Sequence, residues 1–142
     1  MAEKQLRPIA VVEDSDEDFE ALSRAFDRLA VSIPLQRFTT ADEFLQHLRA
    51  RGNMSDERPS LILLDLNLPG TDGKDALLEI KTDEDLRVIP VTVVTSSANT
   101  TDVETCYRYG ANGYMSKGGG FPVFQKAVGT MLDFWFKAAV LP

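Results

Sequence analysis

Cysteine, histidine and tryptophan each occur only once in this chain of 142 residues. With Cys106 alone no internal disulfide can form, and a reducing compartment is the expectation. No apolar run approaches the roughly 18 residues that a membrane span needs. The start, Met1-Ala2-Glu3-Lys4-Gln5, lacks the apolar core of a signal peptide, so a cytoplasmic protein with no membrane partner is expected. Cationic residues are outnumbered: Lys and Arg total 15 against 22 Asp and Glu, for a net charge of −7. That balance argues against a nucleic-acid partner, whose phosphates need clustered Lys and Arg. Linkers and internal repeats are missing as well. Residues 1–142 are therefore expected to form one domain, long enough to bury a proper core.

What is present is an alternation of short apolar runs and amphipathic stretches. Leu61-Ile62-Leu63-Leu64 reads as a strand buried on both faces, and it ends at once in a carboxylate, Asp65. Ile9-Ala10-Val11-Val12 is a similar run, closed by Glu13-Asp14. Leu35 to Phe38, Val91 to Val94 and Gly113 to Ser116 supply three more strands, the last two ending at Thr95 and Lys117. Between them, Phe19, Leu22, Phe26 and Leu29 recur at helical spacing and predict a helix from about Asp16 to Ala30. Thr40-Ala41-Asp42-Glu43 fits a capping box ahead of a helix carrying Phe44, Leu45 and Leu48. Arg49 to Ser60 reads as a flexible connection. Ala76, Leu77 and Ile80 mark a third helix, followed by a charged loop at Thr82 to Asp85. Val103, Cys106 and Tyr107 mark a fourth helix, stopped at Gly110. Pro122 opens a last helix running to about Val140. Five βα units in succession predict an α/β, doubly wound (βα)5 sandwich with a five-stranded parallel sheet.

In such a sheet the carboxyl ends of the strands lie along one edge, where ligands bind. Glu13, Asp14, Asp65, Thr95 and Lys117 should therefore meet around one crevice. Clustered carboxylates repel one another and call for a cation, and oxygen donors suit Mg²⁺. Asp65 is placed as a carboxylate nucleophile toward a phosphoryl group. Lys117 and the metal would neutralise charge on the phosphoryl oxygens, with Thr95 as a hydrogen-bond donor. Asn67 is positioned to lend its backbone carbonyl to the metal.

These motifs carry a family resemblance. Val11-Val12-Glu13-Asp14, Asp65-Leu66-Asn67-Leu68-Pro69-Gly70-Thr71-Asp72-Gly73, Val93-Val94-Thr95-Ser96-Ser97 and Gly110 to Lys117 closely resemble the receiver domain of two-component response regulators. The likeness runs from about Pro8 to Phe136 and implies the flavodoxin-like receiver fold. It also implies that Asp65 takes phosphate from a sensor histidine kinase. Glu13, Asp14, Asp65 and Asn67 would hold Mg²⁺, Thr95, Ser96 and Lys117 would contact the phosphoryl group, and Thr95 and Tyr114 would form a switch pair. On this reading the chain is a stand-alone phosphorylation switch that controls partner binding or dimerisation, and not an enzyme acting on an outside substrate.

Two departures from the family pattern stand out. Many receivers have proline after the lysine, whereas here Lys117 is followed by Gly118-Gly119-Gly120. The Arg49–Ser60 stretch is also longer than in chemotaxis-type receivers. Together with the aromatic tail, it resembles the stand-alone regulators partnered with bacterial phytochromes. In the last helix Phe124, Val128, Met131 and Trp135 form the core stripe, with Val123 and Phe134 on one flank and Leu132 and Phe136 on the other. This exceeds the ~100° that a single core-facing stripe needs. The tail either folds back on its own domain or offers a second apolar surface. The expectation is a homodimer through Phe134, Trp135 and Phe136.

Other residues have plainer expected roles: Asp72 in a turn, His47 on the surface, Cys106 as a buried thiol. Ser97 and Asn67 flank the crevice and bear on hydrolysis of an acyl phosphate. Two rivals remain. A dehalogenase-type phosphohydrolase would need an acid where Asn67 stands. A phosphorylation-independent, receiver-shaped scaffold would not need the full set of Glu13, Asp14, Asp65, Thr95 and Lys117.

Overall fold

The computed structural model describes residues 7–51 and 58–142. Met1 to Gln5, and residues 52–57 in the middle of the expected connection, lie outside the described residues. The elements alternate as β1 Ile9–Val12, α1 Asp16–Arg28, β2 Leu35–Phe38, α2 Ala41–Arg51, β3 Leu61–Leu64 and α3 Gly73–Thr82. They continue with β4 Val91–Thr95, α4 Thr100–Arg108, β5 Gly113–Ser116 and α5 Phe121–Asp133, followed by a π-helical turn at Phe134–Ala138. All strand pairs are parallel, in the order β2-β1-β3-β4-β5. The chain is the doubly wound flavodoxin-like sandwich expected from its alternation, with the strand order reversing between β1 and β3.

The central strands are apolar on both sides because each side meets a helix layer. Ala10, Val12, Ile62, Leu64, Val91 and Val93 face a core shared with Phe44, Leu45 and Leu48 of α2, Leu77 and Ile80 of α3, and Cys106 of α4. Ile9, Val11, Leu61, Leu63 and Val94 face the opposite core, built with Leu22 and Phe26 of α1 and Phe124 and Val128 of α5. Strand periodicity of two therefore divides consecutive residues between two cores.

Local capping follows the sequence closely. The Ser15 hydroxyl accepts from the Asp18 N–H at 3.2 Å and opens α1, and Thr40 does the same for Glu43 at 3.1 Å. Asp72, expected in a turn, is the N-cap of α3 and accepts from the Lys74 N–H at 2.7 Å. Gly110, at φ 102°, closes the turn after α4 in a conformation that L side chains avoid.

Several expectations shift. The first helix ends at Arg28, and Ala30 beyond it has a positive φ of 55°. α2 runs on to Arg51, into the stretch expected to be a connection. The charged loop after α3 is anchored by two buried residues, Leu86 and Ile89, which its acidic composition hides. Lys81 braces that loop by donating to the carbonyls of Arg87 and Ile89 at 3.0 and 2.7 Å. His47 is half-buried and packs its ring on Phe38, with centroids 5.0 Å apart.

The last helix does not stay α-helical to Val140. It widens after Asp133, and the Ala139 N–H reaches the Phe134 carbonyl five residues back at 2.7 Å. Leu132, placed on a flank by the α-helical stripe, is buried with Met131. Trp135 and Phe136 pack half-buried against the α1–α5 core. Phe134 and Val123 stay more than half exposed.

Candidate functional site

The crevice is assembled by continuing the strand ladder one residue past each strand. The Glu13 N–H donates to the Phe38 carbonyl at 2.9 Å, Asp65 N–H to Val12 at 3.1 Å, and Lys117 N–H to Thr95 at 2.9 Å. Three chain segments far apart in sequence thereby present side chains at one edge. Asp65 and Glu13 are both buried there, at 7% and 5% exposure. The Lys117 ammonium donates to Glu13 Oε1, to Asp18 Oδ2 at 2.8 Å and to Asp65 Oδ2 at 3.2 Å. Asp65 Oδ1 accepts from the Leu66 N–H at 2.7 Å, so Oδ2 is the oxygen turned toward the lysine.

Charge in this cluster is unbalanced. Burial, reinforced by the neighbouring Asp65 charge, pushes Glu13 up to about 7 despite its bond to Lys117. Burial opposes the Lys117 charge, but the carboxylates of Asp18 and Glu13 outweigh it and hold the ammonium well above its ordinary value. One lysine does not neutralise three converging acids. Glu13, Asp18 and Asp65 can each bring an oxygen within 4.8 Å of the others. Hard oxygen donors with excess negative charge fit a divalent cation.

The structure gathers the expected residues unevenly. Glu13, Asp65 and Lys117 are in direct contact. Thr95 is fully buried at the end of β4, and its hydroxyl oxygen accepts from the Ser97 N–H at 3.5 Å. Asp14, Asn67 and Ser96 follow the strand ends with exposed side chains. Tyr114 on β5 donates its phenol to the Ser97 carbonyl at 2.8 Å, tying β5 to the loop after Thr95. Burial raises its phenol above the ordinary value.

The sequence reading passed over Asp18. It is the third residue of α1, where an acid after an N-cap serine reads as a capping partner. It also passed over a second polar group beside the crevice. Lys74 of α3 donates to Asp102 Oδ1, and the Ser97 hydroxyl donates to Asp102 Oδ2 at 2.6 Å. The lysine and the serine hold the Asp102 carboxyl below its usual range. Of this group the sequence singles out Ser97 alone, as a residue flanking the crevice; Lys74 and Asp102 carry no signal beyond ordinary charged helix positions.

The loop after Asp65 is braced from two sides. Thr71 donates through its hydroxyl to Asp42 Oδ1 at 2.6 Å, and the Gly73 N–H donates to the Leu66 carbonyl at 3.0 Å. Gly73 sits so close to β3 that a methyl group there would lie 2.2 Å from the Asp65 carbonyl oxygen. Asp65 therefore occupies a rigid frame, while Lys117 precedes three glycines.

Comparison with known proteins adds the context. The model of the response regulator receiver domain matches residues 9–128. Response regulator Rcp1 of Synechocystis is 35% identical over 135 residues, spanning 94% of this chain and 92% of that protein. Among solved structures, the phosphorylated cyanobacterial phytochrome response regulator RcpA superposes with a TM-score of 0.87 at 34% identity. That match covers 96% of this chain and 99% of the other. The Mn²⁺-bound form of Rcp1 superposes at 0.84, also with 34% identity and the same coverage.

Proposed function

This chain belongs to the response regulator receiver family, and from that premise we propose that Asp65 is its phosphoacceptor and that the chain is a Mg²⁺-dependent signalling switch. Receivers of this kind work in phosphorylation-based two-component signalling, with a histidine kinase as donor and a divalent metal at the site. One observation carries the assignment: a buried carboxylate oxygen, Asp65 Oδ2, faces the Lys117 ammonium at 3.2 Å at the mouth of the sheet.

In the proposed step Oδ2 attacks the phosphorus of a kinase phosphohistidine. A P–O bond forms as the P–N bond breaks, and the imidazole leaves with the electron pair. Lys117 turns a donor onto a phosphoryl oxygen, and Thr95 offers its hydroxyl from the next strand. The Leu66 N–H stays on Oδ1 and keeps the carboxylate from rotating. Glu13, Asp14, Asp65 and the Asn67 carbonyl are the residues that would hold Mg²⁺. The ion would supply charge neutralisation at the phosphoryl oxygens. Ser96 completes the phosphate-facing loop. Thr95 and Tyr114 then report the event, because Tyr114 already holds the carbonyl of Ser97, two residues beyond Thr95.

Likeness to the phytochrome response regulator RcpA supports a bacterial phytochrome as the kinase. A free, buried Cys106 suits a reducing cytoplasm. No helix among the described residues is long and apolar enough to cross a membrane. The exposed Phe134 ring, beside Trp135 and Phe136, supports a homodimer through the tail.

The test is intact mass after incubation with acetyl phosphate, with and without Mg²⁺, alongside light scattering. One phosphoryl group gained only with Mg²⁺, and none in Asp65→Asn, is expected. Uptake by Asp65→Asn at the wild-type rate would refute the assignment. A monomer in every state, or a dimer that Phe134→Asp leaves intact, would refute the tail interface.

A further inference from the structure

The most informative side chain outside the expected set is Asp18. In an ordinary capping box the acid at the third helical position reaches back to the N–H of the N-cap residue. Here the Ser15 N–H is already taken, by Glu13 Oε2 at 3.2 Å. The Asp18 carboxylate is released from local capping and instead meets Lys117, 99 residues away, at 2.8 Å.

Lys117 also meets Glu13 and Asp65 at the strand ends, but neither of them lines the groove on its outer side. The lysine's own N–H is fixed to Thr95, but Gly118, Gly119 and Gly120 follow, the last two at φ 92° and 87°. Glycines at such dihedrals constrain the chain weakly, so the backbone beyond the lysine does little to aim it. That groove, of about 210 Å³ between α1 and the start of α5 and lined by Asp18, Ala21, Lys117, Gly120, Phe121 and Phe124, leaves the ammonium room to swing outward. Nothing in that wall except Asp18 carries a charge that would hold it.

We propose that Asp18 is a positioning residue for Lys117, holding one of its three ammonium donors so that another stays aimed at Asp65 Oδ2. The proposal rests on the reading of Asp65 as phosphoacceptor. Geometry separates Asp18 from the other two acids. Glu13 and Asp65 are buried at the strand ends, while Asp18 stands on the helix with its side chain 44% exposed. An ammonium has three donors on a rotatable stem. Fixing one of them removes much of the rotational freedom that the glycines leave. Asp18 does not touch the transferred group; it acts through the lysine.

The test measures the rate of phosphorylation from acetyl phosphate at saturating Mg²⁺, together with Mg²⁺ affinity by calorimetry, on the full chain. Asp18→Asn is expected to slow phosphorylation about tenfold, equivalent to about 1.4 kcal/mol, and Asp18→Glu to restore most of it. In a Lys117→Met background, Asp18→Asn is expected to change nothing further. Mg²⁺ affinity should stay within about threefold of wild type. The Lys117 ammonium signal in ¹⁵N-resolved NMR should broaden in Asp18→Asn, independently of any turnover. A wild-type rate in Asp18→Asn overturns the proposal, as does an equal loss with and without Lys117. So does a tenfold loss of Mg²⁺ affinity, which would make Asp18 a metal ligand. If the wild-type chain takes up no phosphoryl group, the phosphoacceptor reading has failed first and the proposal falls with it.

Discussion

Replacing Gly73 by alanine should damage both stability and the proposed phosphoacceptor, although alanine is the better helix former. Gly73 is the first residue of α3 and is buried against the end of β3. An added methyl carbon would lie 2.2 Å from the Asp65 carbonyl oxygen and 2.6 Å from the Leu66 Cα. Both obstacles are backbone, so no rotamer change relieves them. The helix start must retreat from β3 by about 0.8 Å or more merely to leave the forbidden range. Overpacking of this kind costs about 1–3 kcal/mol. The retreat also stretches the 3.0 Å bond from the Gly73 N–H to the Leu66 carbonyl, worth about 1 kcal/mol. Alanine regains at most about 1 kcal/mol of helix propensity, less at a first position. The net loss is about 1–4 kcal/mol, read by urea denaturation. Because the collision is with the backbone of Asp65, phosphorylation by acetyl phosphate should also slow under conditions where the variant is fully folded. Stability within about 0.5 kcal/mol of wild type and an unchanged rate would show that this contact does not set the frame of the site.

Burial and the Asp65 charge raise Glu13 from 4.5 to about 7, so the folded chain binds this proton more tightly than the unfolded chain does. The stabilisation is complete below pH 4.5 and is lost as pH rises through 7, to a total of about 3 kcal/mol. Urea titrations in chelator should show that decline, Glu13→Gln should flatten it, and equal slopes in the two proteins would refute it. Since a metal needs the ionised carboxylate, Mg²⁺ affinity should rise over the same range. Thr92 is buried, and its hydroxyl has no hydrogen-bond partner among the described residues. Thr92→Val should therefore stabilise the protein by about 1 kcal/mol in thermal and urea denaturation. In the Lys74–Asp102–Ser97 group, Asp102→Asn removes the charged acceptor that holds the Ser97 hydroxyl. Amide exchange at Ser97 and Asn99 should quicken while the β3 amides stay protected, and uniform exchange would deny the group its local role.

How much of this was legible beforehand differs by element. The three central strands were readable because parallel strands covered on both faces are nearly continuous apolar runs, as in Leu61 to Leu64; the edge strands Leu35–Phe38 and Gly113–Ser116 are mixed in composition and mostly half-buried. That Asp65, Glu13 and Lys117 meet was readable because strand ends in such a sheet share one edge. Leu86 and Ile89 were not, since they are isolated apolar residues in an acidic loop and carry no period. The last helix misled at Leu132. That residue lies ahead of the widened turn, in the α-helical part, and is buried because that side of the helix meets the core shared with α1, which the stripe's spacing does not report.

Composition and periodicity by themselves determined that this chain is an α/β sandwich with carboxylates and a lysine at the ends of its strands. Those signals are local and repeat along the chain. Only the tertiary structure decided that Asp18 partners Lys117, that Lys74 and Ser97 share Asp102, and that Gly73 abuts Asp65. Each of those contacts joins separate secondary-structure segments, and which side chains meet depends on how helices seat on the sheet, to within an ångström. No spacing along the sequence encodes that distance.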